Sequence, residues 1–172
     1  MMAALMLASQ VLAADVSLYA PTPVEAVEAM LKLAEVTESD IVYDLGCGDG
    51  RVLVFASKLY GCRSVGIDID PECVAAATRS VNANCLWDLA RVYEGDILEM
   101  DFGRATVVTL YLMPNLLVKL KPQLDKLSPG MRIVCFEKPI PKTKPSRRVK
   151  VSGHTLYLYW TPLVAIQSTG ST

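Results

Sequence analysis

"IVYDLGCGDGR", residues 41–51, decides how the rest of the chain is read. Ile41 to Leu45 is an apolar run of strand length, and Val52 to Tyr60 behind it has the spacing of a helix. Between them lie glycines at 46, 48 and 50 and two carboxylates, Asp44 and Asp49. Glycine lets a backbone turn sharply and approach a ligand without a Cβ in the way. A strand-to-helix loop also gathers unpaired N–H groups at the helix start, where phosphates usually bind. The carboxylates argue against a phosphate here. Two unit charges about 4 Å apart interact by roughly 4 kcal/mol at an effective dielectric near 20. The spacing is also G-x-G-x-G, one residue tighter than the dinucleotide fingerprint, and no G-K-[ST] follows as a P-loop requires.

The ligand implied is a nucleoside carrying positive charge and no phosphate. S-adenosylmethionine, with an ammonium and a sulfonium, fits that description. Two more acids extend the pattern. "VGIDID" ends a second strand with Asp68, about 20 residues past the glycines, where an acid accepts ribose hydroxyl protons. Ile69 beside it is placed to pack on an adenine face, and Asp96 of "EGD" to accept from an adenine amino group. Asp44, Asp68 and Asp96 all fall at strand C-terminal ends, where open α/β sheets bind ligands.

Around this loop the periods alternate. Val24, Val27, Met30, Leu31 and Ala34 predict a helix opened by Pro23 with Thr22 as its cap. Strands are expected at 41–45, 64–67, 91–94, 105–112 and 131–136, and helices at 52–60, 71–81 and 116–127, the last interrupted by Pro122. Alternation of this kind predicts a parallel sheet covered on both faces. "RRVKV" and "TLYLYW" flank the turn "SGH" and predict an antiparallel pair at the end. "KPIPKTKPSRRVK", residues 138–150, has six basic residues and no acid; it reads as an irregular solvated loop or as a docking edge for an anionic partner.

The formal net charge of -1 gives no overall pull toward nucleic acid, and five cysteines without a C-x-x-C pair suit reduced thiols in a cytoplasm-like compartment. One histidine, His154, excludes a His-rich metal site, and no metal is expected. Residues 1–15 form an apolar segment without a preceding Lys or Arg, shorter than the roughly 20 residues of a membrane span. A signal, a membrane-associating helix and a packed helix all stay open for it. Residues 16–165 are expected as one domain and 166–172 as a flexible tail.

"DLGCGDG" and "GIDID" resemble the first two motifs of class I S-adenosylmethionine-dependent methyltransferases. "APTPVEAVEAMLKLA", "VVTLYLMPNLLVKLKPQL" and "GHTLYLYW" resemble more closely a small group that includes the mitochondrial lysine methyltransferases of the ATP synthase c-subunit and the adenine nucleotide translocase. The resemblance implies a Rossmann-like αβα sandwich on a mostly parallel seven-stranded sheet. It implies transfer of a methyl group to a protein lysine, with a membrane protein among the partners expected; eukaryotic members of the group carry an N-terminal membrane-targeting segment, which bears on residues 1–14. "CFEKPIPKTKP" after the fifth strand departs from the acidic and aromatic stretch the group carries there. The acceptor is expected at the end of the fourth strand, where Tyr111 either orients an amine or packs in the core, and Asn115 either positions the acceptor or caps a helix. Glu137 either holds an amine or joins an ion pair, and Cys47 reads as a small filler. A binding module without transfer activity is the alternative to an enzyme. The N/D-P-P-aromatic motif of nucleic-acid amino-methyltransferases is missing from "LYLMP", so nucleic acid is not expected as substrate.

Overall fold

The computed structural model describes residues 21–166, so the expectations for the apolar N-terminal segment, for residues 16–20 and for the last six residues lie outside it. Seven strands form one sheet: β1 Ile41–Leu45, β2 Arg63–Asp68, β3 Ala90–Glu94, β4 Val107–Leu110, β5 Arg132–Phe136, β6 Arg147–Val151 and β7 His154–Trp160. The helices are α1 Val24–Leu33, α2 Arg51–Tyr60, α3 Pro71–Ala83 and α4 Pro114–Leu124. The sheet order is β3-β2-β1-β4-β5-β7-β6. The first five strands are parallel, and β7 runs antiparallel to both β5 and β6. Ser152 and Gly153 both take positive φ, the requirement of a tight hairpin turn between β6 and β7.

Alternating side chains split the core into two layers, as a two-sided sheet demands. Val107, Val134 and Phe136 pack under α1 and α2 with Val27, Leu31 and Ala56. Val108, Ile133 and Cys135 point the other way, onto Leu117, Leu120 and Leu124 of α4. Leu53, Val81 and Ala90 extend the first layer toward α3. This is the Rossmann-like three-layer arrangement the alternation implies.

Two helix starts differ from the spacing-based expectation. Pro23 is itself the cap of α1, with Thr22 outside the helix; the Pro23 carbonyl accepts from the N–H groups of Ala26 and Val27. The Thr22 carbonyl is engaged by Arg51 instead. Helix α4 begins at Pro114, two residues early, because proline at a first helical position needs no N–H partner. Pro122 lies inside its last turns and has no N–H to offer the carbonyl of Val118, an exposed residue.

The opposite end of the sheet from the glycine loop is tied by a buried polar knot. Asp40 accepts from the Thr106 hydroxyl at 2.6 Å, from the Thr37 N–H at 2.8 Å and from the Arg132 guanidinium. Arg132 also donates to the Ala34 carbonyl at the end of α1, at 2.7 Å. Burial alone would raise the Asp40 carboxyl; the Thr106, Thr37 and Arg132 contacts outweigh it and hold it below the ordinary carboxylate range. A lowered carboxyl stabilises the fold above its unfolded pKa, and the contribution is lost as pH falls through the folded value. Asp40→Ala strands Arg132 and is expected to cost about 3–5 kcal/mol, read as a lower urea midpoint at pH 7. Acidification below about pH 4 should narrow the gap to wild type.

Candidate functional site

The sheet reverses its strand order between β1 and β4, and a crevice opens there at the strand C-terminal ends. It holds a cavity of about 540 Å³, within the range that takes a nucleoside-sized ligand. Asp44, Gly46, Asp49, Asp68, Ile69, Asp96 and Tyr111 all line it, so residues spread over 68 positions of sequence meet in one pocket.

The glycine loop is built for close approach. Gly46, Gly48 and Gly50 all have positive φ. Gly50 caps α2, and a Cβ there would lie 2.9 Å from the backbone of Ala77 in α3. Strain and clash coincide at that position, so Gly50→Ala should cost roughly 2–4 kcal/mol, measured as a drop in melting temperature. Asp68 reaches across to fix the loop: its Oδ2 accepts from the Gly48 N–H at 2.8 Å, and its Oδ1 from the Asp70 N–H at 3.0 Å. Each oxygen retains a second lone pair for a ligand hydroxyl. Asp96 uses Oδ1 to accept from the Leu98 N–H at 2.8 Å, which closes its own turn.

The two carboxylates of the opening loop behave differently from each other. Asp49 is paired with Arg51, Nη2 to Oδ2 at 2.6 Å, and Arg51 also donates to the Thr22 carbonyl at 2.6 Å. Asp49 thereby anchors the chain entering α1, and its charge is balanced. Asp44 is only 7% exposed and accepts from the Thr109 hydroxyl at 2.7 Å. Burial pushes its carboxyl up to about 7; the Thr109 bond opposes this, and the charges of Asp68 and Asp49 add to it. The repulsion toward phosphate is therefore softer than the residue types alone imply, and Asp68 carries most of it. Cys47, between the glycines, is buried with its thiol pushed up by burial and by Asp44, which suits a filler and not a nucleophile.

Asp68, Ile69, Asp96, Ile97 and Leu98 wall one half of the cavity, and Ile69 is 68% exposed there. The other half is walled by Tyr111, Leu112, Met113 and Leu116. Tyr111 meets Phe136 edge to face with ring centroids 4.7 Å apart, so it both packs and faces the cavity. Asn115 stands outside the lining; its Oδ1 accepts from the Leu116 N–H at 2.9 Å in the first turn of α4. Glu137 is taken by His154, Oε1 to Nδ1 at 2.8 Å. Sequence reasoning passed over Lys119 and Lys138, which also line the cavity. Lys138 had a positional signal, two residues past the end of β5, where site residues collect; Lys119, midway along α4, had none.

The sequence profile of the ANTKMT methyltransferase domain matches residues 44–147, more than half of the chain. The chain belongs to this methyltransferase family. A protein-lysine N-methyltransferase of Saccharolobus islandicus is 41% identical over 147 residues, covering 82% of this chain and 91% of that protein. The lysine N-methyltransferase of the ATP synthase c-subunit from Xenopus laevis is 26% identical over 144 residues, covering 83% of this chain and 62% of the relative. Among solved structures, an RNA methyltransferase from Salinibacter ruber in complex with S-adenosyl-L-homocysteine superposes with a TM-score of 0.82 at 40% identity. That match covers 88% of this chain and 100% of the other. The protein is an S-adenosylmethionine-dependent methyltransferase. No helix among the described residues of the methyltransferase is long and apolar enough to cross a membrane.

Proposed function

We propose that the methyltransferase transfers a methyl group to the side-chain amine of lysine in a protein. One observation carries this. The acceptor half of the cavity is a mainly aliphatic slot, and Tyr111 is the single aromatic among the described lining residues. Four methylenes and one amine suit such a slot. A flipped nucleobase needs faces to stack between and partners along its hydrogen-bonding edge. The names of the Saccharolobus and Xenopus relatives support the same acceptor.

S-adenosylmethionine, when bound, supplies an electrophilic methyl group on a sulfonium. In this reading Asp68 accepts from the ribose hydroxyls, Asp96 from the adenine amino group, and Ile69 packs on the adenine. Gly46, Gly48 and Gly50 let the backbone come close, and Asp44 faces the cationic end. Asp49 holds the loop through Arg51. Tyr111 orients the acceptor amine, while Asn115 serves α4. The apolar wall disfavours an ammonium and so helps the acceptor shed its proton before attack. Tyr111→Phe should lower kcat about tenfold, near 1.4 kcal/mol, with cofactor affinity unchanged in calorimetry.

The test is a cell extract, membranes included, incubated with methyl-labelled S-adenosylmethionine. Label should appear on lysine and vanish with Asp68→Ala. Label on RNA and on no protein would overturn the reading. A labelled band in the membrane fraction would support a membrane-protein substrate, which the Xenopus relative's name and the apolar run 1–14 motivate.

A further inference from the structure

The near-zero net charge conceals a division. Residues 41–101 hold 10 acids against 5 bases, whereas residues 102–166 hold 2 acids against 11 bases; α1, with Glu25 and Glu28, packs against β5, β6 and β7 and stands outside this division. The first group supplies β1, β2 and β3; the second supplies β4, β5, β7 and β6. Sheet order keeps the two sets on opposite sides of the crevice. The cavity inherits the division: Asp44, Asp68 and Asp96 lie on one side, Lys119 and Lys138 on the other with Tyr111 and Met113.

Both lysines stand where the acceptor must enter, and neither makes an ion pair among the described residues. Of the two acids of that half, Asp125 is paired with Lys121 at 2.8 Å and Glu137 with His154 at 2.8 Å, though the neighbouring Lys138 charge also acts on the Glu137 carboxyl. Lys138 is set in place by a tight turn: Glu137 takes a φ of 61°, and the Lys138 N–H donates to the Phe136 carbonyl at 2.7 Å. The basic segment that follows is tied down as well. Thr143 bridges to Ala165, and the Lys144 N–H donates to the Val164 carbonyl at 2.7 Å. The loop is irregular and its lysines are exposed, as its prolines suggest, but these contacts pin it to the C-terminal segment, and Lys138 at its start lines the cavity.

Cations at the entrance act on an acceptor lysine in two ways. They lower its pKa, which favours the neutral amine the reaction needs. They also repel it while it is still an ammonium, a penalty that nearby negative charge on the same substrate removes. We infer that this methyltransferase selects lysines flanked by acidic residues in a protein chain, with Lys119 and Lys138 reading the flanking carboxylates. The inference rests on the lysine-methyltransferase reading and narrows it. An RNA phosphate or a lipid headgroup has the charge but brings no acceptor that suits the aliphatic slot.

The test uses three peptides identical except at the residues around one central lysine: glutamates, glutamines or arginines. With the full-length protein, kcat/KM should be at least tenfold higher for the glutamate peptide than for the glutamine peptide, and lowest for the arginine peptide. Lys119→Glu with Lys138→Glu should reverse the order, and Lys119→Gln with Lys138→Gln should flatten it, with S-adenosylmethionine binding by calorimetry retained as the control for folding. Equal turnover of all three peptides, or a preference for arginine flanks, overturns the inference and leaves the lysine reading intact. Label on an RNA oligonucleotide and on none of the peptides overturns both. Co-sedimentation with phosphatidylglycerol vesicles that the glutamate substitutions abolish, without any peptide preference, assigns the lysines to a lipid surface and also overturns the inference.

Discussion

Asp68→Ala should weaken S-adenosylmethionine binding by two to three orders of magnitude. Two losses combine. In the proposed complex the ribose loses its acceptors, and charge-assisted hydrogen bonds are worth about 1.5–3 kcal/mol each. The loop also loses its brace, because the Gly48 N–H that donates to Oδ2 at 2.8 Å is left without its partner. Asp68→Asn separates the two effects. Its amide oxygen can keep the Gly48 contact, while the amide nitrogen gives up one ribose acceptor and the bond from the exposed Asp70 N–H; the glycine loop keeps its brace, and affinity should fall by about tenfold to a hundredfold. Calorimetric titration gives the affinities, and thermal melts show whether the loop change reaches the fold. An alanine variant that binds within threefold of wild type would remove Asp68 from the cofactor site.

The second large effect is a change of opposite sign in stability and in binding at Asp44. Its carboxyl is held up to about 7 by burial, above its unfolded value of 3.8. A raised acid stabilises the fold fully below the unfolded pKa, and that contribution is lost as pH rises toward the folded value. Three pH units correspond to about 4 kcal/mol of destabilisation by pH 8, as an upper figure. Asp44→Asn keeps an oxygen for the Thr109 hydroxyl, which donates at 2.7 Å, and carries no charge to bury. The ligand-free variant should therefore be more stable than wild type at pH 8, with the difference shrinking toward pH 4. Cofactor binding should move the other way. A cationic ligand favours the ionised carboxyl, so wild-type affinity should climb between pH 5.5 and 7.5 and then level off. The climb can be at most tenfold per pH unit. The asparagine variant should bind more weakly and lack that slope. Urea titrations and calorimetry across this range give both curves.

Much of this was legible in the chain because the local signals agree with one another. Ile41 to Leu45 followed by three glycines can be read only as a strand entering a tight loop, and Asp68 and Asp96 sit where the ends of the next two strands must fall. The hairpin at Ser152 and Gly153 was marked by its turn residues. Partners distant in sequence were not legible. Nothing near Asp49 says that Arg51 will swing onto both it and the Thr22 carbonyl, or that Thr109, 65 positions on, will donate to Asp44. The charge state of Asp44 depends on burial, which a list of residue types does not contain. Asn115 and Tyr111 illustrate the same limit at short range. Four positions apart on one loop-and-helix segment, one closes its own helix and the other turns inward to line the cavity.

Each proposed recognition element hangs from a different strand: the glycine loop from β1, Asp68 from β2, Asp96 beyond β3, Tyr111 beyond β4 and Lys138 beyond β5. Because β1, β2 and β3 lie on one side of the crevice and β4 and β5 on the other, drift in the segments after β4 and β5 can retune what is methylated without disturbing what donates the methyl. The same scaffold can thus change clients while keeping its fuel, and relatives of about 40% identity do bear names for protein and for RNA.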